Sequence, residues 1–180
     1  MKLISYIDRA LNKAIRFYRL NTFKSKVLNL GRNPNVLGVV HVNATQVSIG
    51  DNVTIYPDVY FWGDGEIIIG NNVDLGMGTI IFSKNKVVIG DNTSIAAHCY
   101  IIDSNHGISK SALIREQPLD VAKNGIIIGE DVWISAGSKI IKGAKINKGA
   151  VIGAMSLVNS DICEYEIAAG IPAKKIKERQ

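Results

Sequence analysis

The sequence predicts an all-β solenoid, a triangular parallel β-helix with six-residue sides, and two superimposed repeats are the basis for this prediction. Nearly the same seven residues occur four times, at 47–53, 67–73, 87–93 and 126–132. A fixed period with a fixed sequence core is typical of solenoids, in which each repeat buries its apolar side against its neighbours. Large apolar residues also recur at every sixth position, in runs that begin at Ile49, Ile69, Ile89 and Ile128.

The six-residue spacing selects among secondary structures. Six residues turn about 600° around an α-helix, so the aliphatic side chains would spread over the helix surface. Three short strands joined by tight corners instead make a coil of 18 residues, in which each side points one aliphatic residue inward. Small or β-branched residues two positions earlier also point inward, and Gly, Asn and Asp supply the corners. A β-sandwich has no reason to keep this phase.

The segment 1–32 is predicted to contain a basic amphipathic helix that runs to about residue 20. The apolar residues of one helical face are Ile4, Ile7, Leu11, Ala14, Ile15 and Tyr18. Such a helix either docks on the solenoid and covers its end coil, or contacts an anionic membrane surface through residues 1–20. The two interpretations are compatible.

The chain divides into the helical segment 1–32, a β-helix over 33–170, and a basic C-terminal helix or tail over 171–180. The formal net charge of +5 is concentrated in the two terminal segments. No recognition motif accompanies these charges, so nucleic acid is not an expected partner.

The composition indicates a cytoplasmic protein. The sequence has neither a secretory apolar region nor an apolar run near the length of a membrane span. Cys99 is predicted to fill the core and Cys163 to lie at a corner. Neither has metal or redox spacing, so both are expected to be reduced thiols, and no metal is expected.

The six-residue phase stops after Ile101 and resumes at Ile128. An extended loop at about 103–125 therefore leaves the prism, and it begins with Asp103, Ser104, Asn105 and His106. Insertions in solenoids tend to lie on the binding face. The loop is therefore the predicted position of the functional site.

Three stretches carry a resemblance to a known family: 128–137, 150–154 and 168–174. With them, residues 36–179 resemble the hexapeptide-repeat acyltransferases, which are left-handed parallel β-helices, and above all the maltose, galactoside and virginiamycin type of O-acetyltransferases. The resemblance implies a left-handed coil and a homotrimer with active sites between subunits. It also implies acetyl-CoA as co-substrate, with no metal required.

By the same resemblance, His106 matches the catalytic histidine of the family, with Asn105 beside it. A histidine suits the task because its ordinary pKa, about 6.5, lets a neutral imidazole accept a proton near neutral pH. It would deprotonate the acceptor as the acceptor attacks the thioester, and the backbone N–H of Ala136 would stabilise the oxyanion. Asp103 either orients the imidazole or is a corner aspartate.

The resemblance also implies two sets of binding residues. Positions that match cofactor contacts are Trp133, Ser135, Ala136, Ala154, Asn159, Ser160, Lys174 and Lys177. Positions on the acceptor side are Tyr56, Asp58, Tyr60, Trp62 and His98. Ser160 departs from the family, which often has Lys there, and Cys163-Glu164 replaces a usual Pro-Pro pair.

The function implied is acetyl-CoA-dependent O-acetylation of a free or lipid-linked saccharide, in surface-polysaccharide or lipopolysaccharide biosynthesis. The residues do not choose between a hydroxyl and the amine of an amino-sugar nucleotide, so N-acetylation stays open. A non-catalytic trimerisation scaffold is the alternative of another class. A carbonic anhydrase on this fold needs two zinc-binding histidines five residues apart, whereas His98 and His106 are eight apart.

Overall fold

A computed structural model describes the backbone of residues 2–180 and the side chains from residue 9 onward. The chain starts with helix α1 (Lys2–Lys24), and a 3-10 turn lies at Ile114–Glu116. The first strands are β1 (Asn29–Leu30), β2 (Asn35–Val36), β3 (Val40–Ile49), β4 (Thr54–Ile55), β5 (Val59–Ile69), β6 (Asp74–Leu75), β7 (Ile80–Phe82), β8 (Lys86–Ile89), β9 (Ser94–Ile95), β10 (Tyr100–Ile102) and β11 (Ser104–Asn105). The later strands are β12 (Asp120–Val121), β13 (Ile126–Ile128), β14 (Trp133–Ile134), β15 (Lys139–Ile140), β16 (Lys145–Ile146), β17 (Val151–Ile152), β18 (Leu157–Val158), β19 (Glu166–Gly170) and β20 (Ala173–Glu178).

The strands stack into the three sides of a prism. Side A consists of the first halves of β3 and β5, followed by β7, β10, β15 and β18. Side B consists of β1, the second halves of β3 and β5, and then β8, β13 and β16. Side C consists of β2, β4, β6, β9, β14, β17 and β19. The strands within each side pair in parallel, which confirms the predicted solenoid.

The prism interior contains the residues that the periodicity selected. All the sixth-position residues, from Ile49 to Val158, are buried with at most 4% of their surface exposed. The smaller residues two positions earlier, such as Thr79, Cys99 and Ser138, are buried as well. Each coil therefore contributes about one branched aliphatic residue per side, and the coils bury one another.

Each of the three corners has its own chemistry. The asparagine corner, between sides B and C, contains Asn33, Asn52, Asn72 and Asn92. These residues have left-handed φ of 54–58°, which Asn tolerates better than most residues, and their amides form a ladder with N···O distances of 3.0–3.2 Å. The alanine corner, between sides C and A, includes 96–99, 135–138 and 153–156.

The loop corner, between sides A and B, is where the long loop leaves the prism. Coils of the first part have extra residues here, at 44–46, 63–65 and 83–85, and β3 and β5 continue around it. Residues 103–125 leave at the same corner, and 141–143 then make a narrower turn. The early coils, which repeat every 20 residues or so, therefore hold the residues in excess of 18 at this corner.

Helix α1 docks on the first coils by its C-terminal turns. Phe23 is buried with its ring centroid 6.3 Å from that of Phe61, and Arg16 donates to the Asn35 side chain over 2.6 Å. The predicted apolar face is not the docking face, because Leu11 and Tyr18 are 56% and 70% exposed. These two residues lie roughly 120–180° around the helix from Leu20 and Phe23.

Of the other members of that face, Ala14 is exposed and Ile15 is half-buried, while Ile4 and Ile7 lie outside the described side chains. Strand pairing starts at Asn29, within the segment 1–32. Within residues 2–180, no helix has the length and apolarity needed to cross a membrane.

The C-terminal end differs from the expected helix or tail. Strand β20 folds back and pairs antiparallel with β19, so the last coil of side C is covered by a strand. Its lysines, Lys174, Lys175 and Lys177, are exposed along the sheet edge, where charge disfavours pairing with another chain. Arg179 fastens this end by donating to the Asp131 carboxylate over 3.0 Å.

Candidate active site

His106 lies at the base of the extended loop. The loop leaves and returns as a short antiparallel ladder, in which Ser104 faces Val121 and Asn105 faces Asp120. His106 follows directly and is exposed at the rim of a pocket of about 290 Å³ on side A. The other lining residues are Trp62, Phe82, Tyr100, Ile102, Ser104, Asn105 and Leu119.

The aromatic wall of this pocket follows from strand register. Trp62, Phe82 and Ile102 are paired across β5, β7 and β10 and point outward in one column. The rings of Trp62 and Phe82 meet edge to face with centroids 6.0 Å apart. Tyr100 stands in the neighbouring column, and burial raises the pKa of its phenol, so its hydroxyl stays protonated at neutral pH.

A second pocket, of about 310 Å³, shares Trp62 and Tyr100 with the first and extends along side A to the alanine corner. His98 lines it from a corner position with left-handed φ of 60°, and Lys139 donates to the His98 carbonyl over 3.2 Å. Gly78 lies beneath the imidazole, where a Cβ would come within 2.5 Å of Nδ1. Trp62 thus joins the His98 and His106 pockets.

The other predicted acceptor residues form a separate cluster nearer the helix. His41 stacks on Tyr60 with ring centroids 4.1 Å apart, and its Nε2 lies 3.3 Å from Asp58 Oδ1. Tyr56 is exposed at the alanine corner. None of these residues lines the His106 pocket or the His98 pocket.

Asp103 does not orient His106, and the alternative of a corner aspartate is the correct one. Its buried carboxylate accepts hydrogen bonds from the backbone N–H groups of Lys84, Asn85 and Lys86 at 2.8–2.9 Å. The Ser83 hydroxyl adds a bond of 3.3 Å. In other coils such N–H groups bond to carbonyls of the next coil, but here the next coil leaves the prism as the loop. The Asp103 carboxylate therefore takes the place of those carbonyls.

The alanine corner presents free backbone donors. The N–H groups of Ser135 and Gly137 bond to carbonyls 3.0 and 2.9 Å away, whereas that of Ala136 has no acceptor among residues 2–180. The N–H of Ala154 likewise has no acceptor among residues 2–180, whereas the N–H groups of Gly153 and Met155 on either side bond to carbonyls. Both are of the kind that the predicted oxyanion and pantetheine contacts require.

In one chain, however, Ala136 and His106 are at opposite edges of side A. Ala136 precedes β15, while the loop leaves after β10, which pairs with β15. The intervening side is about six residues, or roughly 20 Å of extended chain. A single subunit therefore does not bring the two together.

The remaining predicted cofactor residues are spread over three regions. Trp133 is 53% exposed and points outward from β14 on side C. Asn159 and Ser160 are exposed at the loop corner of the last full coil, and Lys174 and Lys177 are exposed on β20. Within residues 2–180, no cluster of three or more His, Cys, Asp or Glu side chains is arranged to hold a metal.

The two pockets also contain four residues that the sequence pattern did not single out: Tyr100, Phe82, Leu119 and Lys139. The six-residue phase could have identified three of them, because Phe82, Tyr100 and Lys139 lie at outward positions of the side A strands β7, β10 and β15. Leu119 reaches the pocket through the loop fold, which the sequence pattern does not specify.

The family model described as bacterial transferase hexapeptide (six repeats) matches residues 125–160. The chain is 37% identical over 87 residues to a probable acetyltransferase, Rv3034c, from Mycobacterium tuberculosis, covering 48% of this chain and 28% of the relative. It is 33% identical over 90 residues to a putative lipopolysaccharide biosynthesis O-acetyl transferase, WbbJ, from Escherichia coli, covering 47% of this chain and 46% of the relative.

Solved structures align over more of the chain. A variant of AntD, an N-acyltransferase from Bacillus cereus in complex with dTDP and coenzyme A, matches with a TM-score of 0.76 and 25% identity, covering 90% of each chain. A maltose O-acetyltransferase from Clostridium difficile matches with a TM-score of 0.63 and 25% identity, covering 90% of this chain and 75% of the other. The chain spans roughly a quarter to a half of the length of the curated relatives above. These matches confirm the resemblance to the hexapeptide-repeat acyltransferases and the predicted fold class.

Proposed function

We propose that this chain is an acetyl-CoA-dependent O-acetyltransferase that modifies a saccharide hydroxyl with His106 as general base. The observation that carries the proposal is the position of His106, on the rim of an aromatic pocket at the corner from which the long loop leaves. An aromatic wall suits a sugar, because the apolar face of a pyranose stacks on a ring while its hydroxyls stay free to bond. The relatives with acetyltransferase names and the neighbours with bound coenzyme A support the reaction class.

The chemistry follows from the groups present. A neutral imidazole nitrogen of His106 takes the proton of the acceptor hydroxyl as its oxygen bonds to the thioester carbonyl carbon. The carbonyl electrons move to oxygen, and the free N–H of Ala136 donates to that oxyanion. When the intermediate collapses, the C–S bond breaks, the ester is formed, and coenzyme A leaves as the thiol with the proton held by His106.

The site requires two subunits. His106 is at the loop corner and Ala136 at the alanine corner, about 20 Å apart across side A of one chain. We therefore assign each active site to the loop corner of one subunit and the alanine corner of the next, as a homotrimer with three-fold symmetry would arrange them. On side A, Trp62 is exposed and Ile80, Phe82 and Tyr100 are half-buried, and these residues supply apolar area for such a contact.

The acceptor class is narrowed by two relatives. The similarity to WbbJ, a putative lipopolysaccharide biosynthesis O-acetyl transferase, favours a saccharide hydroxyl as the acceptor, in surface-polysaccharide or lipopolysaccharide biosynthesis. A variant of AntD in complex with dTDP-4-amino-4,6-dideoxyglucose and coenzyme A matches with a TM-score of 0.77, which favours the amine of a nucleotide-linked sugar as the second candidate. The same base and donor serve both.

The test is coenzyme A thiol release from acetyl-CoA with a panel of free sugars, lipid-linked sugars and nucleotide-linked amino sugars. His106→Ala is expected to lower kcat/KM at least 10²-fold, because the general base is removed. It should leave coenzyme A binding intact. His41→Ala is the matched control, since His41 lies outside both pockets, and it should keep wild-type turnover. Retained turnover in His106→Ala would remove His106 from the mechanism.

We further propose that α1 brings the enzyme to an anionic membrane surface at the cytoplasmic face, where lipid-linked saccharides are found. Residues 9–26 contain six lysines and arginines and no acidic residue. The exposed face around Leu11 and Tyr18 adds apolar contact area, as in helices that lie in a membrane interface.

A further inference from the structure

A third pocket lies at the loop corner, on the C-terminal side of the loop. At about 460 Å³ it is larger than the pockets described above. Three lysines line it, Lys123 on the returning loop and Lys142 and Lys145 in the following coil. Its one acidic lining residue is Asp161, and Ile127 adds an apolar surface. A concave site with this excess of ammonium groups suits a polyanion.

The pocket is linked to His106 by a short series of contacts. Asn105, next to His106, pairs with Asp120 in the ladder at the loop base. The Asp120 carboxylate forms an ion pair with the Lys142 ammonium, and Lys142 lines the pocket. The base and the lysines therefore lie along one corner of the prism, with the lysines toward the C-terminal end.

This arrangement matches the chemistry of coenzyme A. The molecule has its thioester at one end, a neutral pantetheine arm, and a pyrophosphate and a 3′-phosphate at the other end. A base at the thioester and lysines further along the same corner are what such a ligand needs. Ser160 lies one coil below Lys142, because β15 and β18 pair Lys139 with Leu157. Related proteins often have Lys at the position of Ser160. Lys142 provides a cation one coil above Ser160, which has only a hydroxyl.

We propose that the pocket of Lys123, Lys142 and Lys145 binds the phosphate groups of coenzyme A. The inference rests on the proposed function, and it assigns the phosphates to the loop corner. The tail lysines are the competing site, but they lie on β20 beyond side C, away from the loop corner that holds His106.

The experiment measures the Kd of coenzyme A, 3′-dephospho-coenzyme A and pantetheine by titration calorimetry. The test variant is Lys123→Ala/Lys145→Ala, which leaves the Lys142–Asp120 pair at the loop base intact. The competing variant is Lys174→Ala/Lys177→Ala. Lys148→Ala is the matched control, because Lys148 pairs with Glu130 at the asparagine corner, away from the pocket.

The pocket variant is expected to bind coenzyme A about tenfold or more weakly, the effect of losing charged hydrogen bonds, and to bind pantetheine like the wild type. Equal weakening for pantetheine, or a loss confined to the tail variant, would overturn the assignment. Unchanged thermal unfolding of the variants shows that the fold is kept. If the wild type binds no coenzyme A, the proposed function itself fails; if the wild type binds it and the pocket variant binds equally well, only this inference fails.

Discussion

At the scale of single residues, Asp103 and His106 lie three positions apart at the start of the loop and make separate contacts. An aspartate three residues before a catalytic histidine suggests a partner for the imidazole. The carboxylate instead holds the 83–86 corner of the preceding coil through backbone N–H groups. Asp103 therefore fixes the point at which the loop leaves the prism, and it acts on His106 only by placing the loop.

Substituting Asp103→Asn tests this role. The amide puts an NH₂ group where an oxygen accepts from backbone donors, so we expect a loss of about 3 kcal/mol in the free energy of unfolding. Chemical denaturation measures it, with Asp120→Asn as a control at the exposed loop base. A shifted pH–rate profile for Asp103→Asn with unchanged stability would show that Asp103 acts on the imidazole after all.

Periodicity accounts for what the sequence predicted at this scale. A residue such as Ile134 is identified as buried because its position in a six-residue phase determines the direction of its side chain. The partners of Asp103 lie about 20 residues earlier, and the contact depends on how a wide corner stacks on the loop. The same limit applies to Leu119. Patterns of side-chain direction can be read from a sequence, whereas contacts between an irregular loop and a coil cannot.

At the scale of elements, α1 and β20 differ most from expectation. The helix pattern correctly predicted an amphipathic helix but not which face docks. Phe23 and Leu20 pack on the first coils, and Arg16 bonds to Asn35 with the basic face toward the solenoid. This leaves the apolar face around Leu11 and Tyr18 exposed. Residues 9–26 carry six cations and no acid, so this stretch repels its own copies and is attracted to an anionic surface.

Vesicle sedimentation tests the helix. The variant Leu11→Glu/Tyr18→Glu is expected to bind vesicles containing phosphatidylglycerol at least tenfold more weakly than the wild type, because it removes apolar contacts and adds repulsion. Ile176→Glu, an equally exposed site on β20, is the matched control. Wild-type binding should weaken with salt and be absent for neutral phosphatidylcholine vesicles. The proposal is contradicted if the wild type binds neutral and anionic vesicles equally well. It is also contradicted if the variant binds vesicles like the wild type and differs only in its oligomeric state.

At the scale of the whole molecule, the prism separates two kinds of corner. The loop corner holds His106, and the alanine corner presents the free N–H groups of Ala136 and Ala154. One chain keeps these groups a full side apart, and in the proposed function the homotrimer brings them together. The sequence predicts both corners from the phase of the repeat, but it assigns them to one site only through the family resemblance.

The most direct measurement of the central claim is the activity of mixed trimers. His106→Ala removes the base, and Ala136→Pro removes the N–H at a corner position that Pro57 occupies in an earlier coil. Each variant alone should be inactive and folded. Co-expressed with different tags and purified by both, mixed trimers contain one intact site in three and should recover about one third of wild-type thiol release. Mixed trimers that stay as inactive as their parents, or an Ala136→Pro enzyme that is active by itself, would contradict a site shared between these two corners.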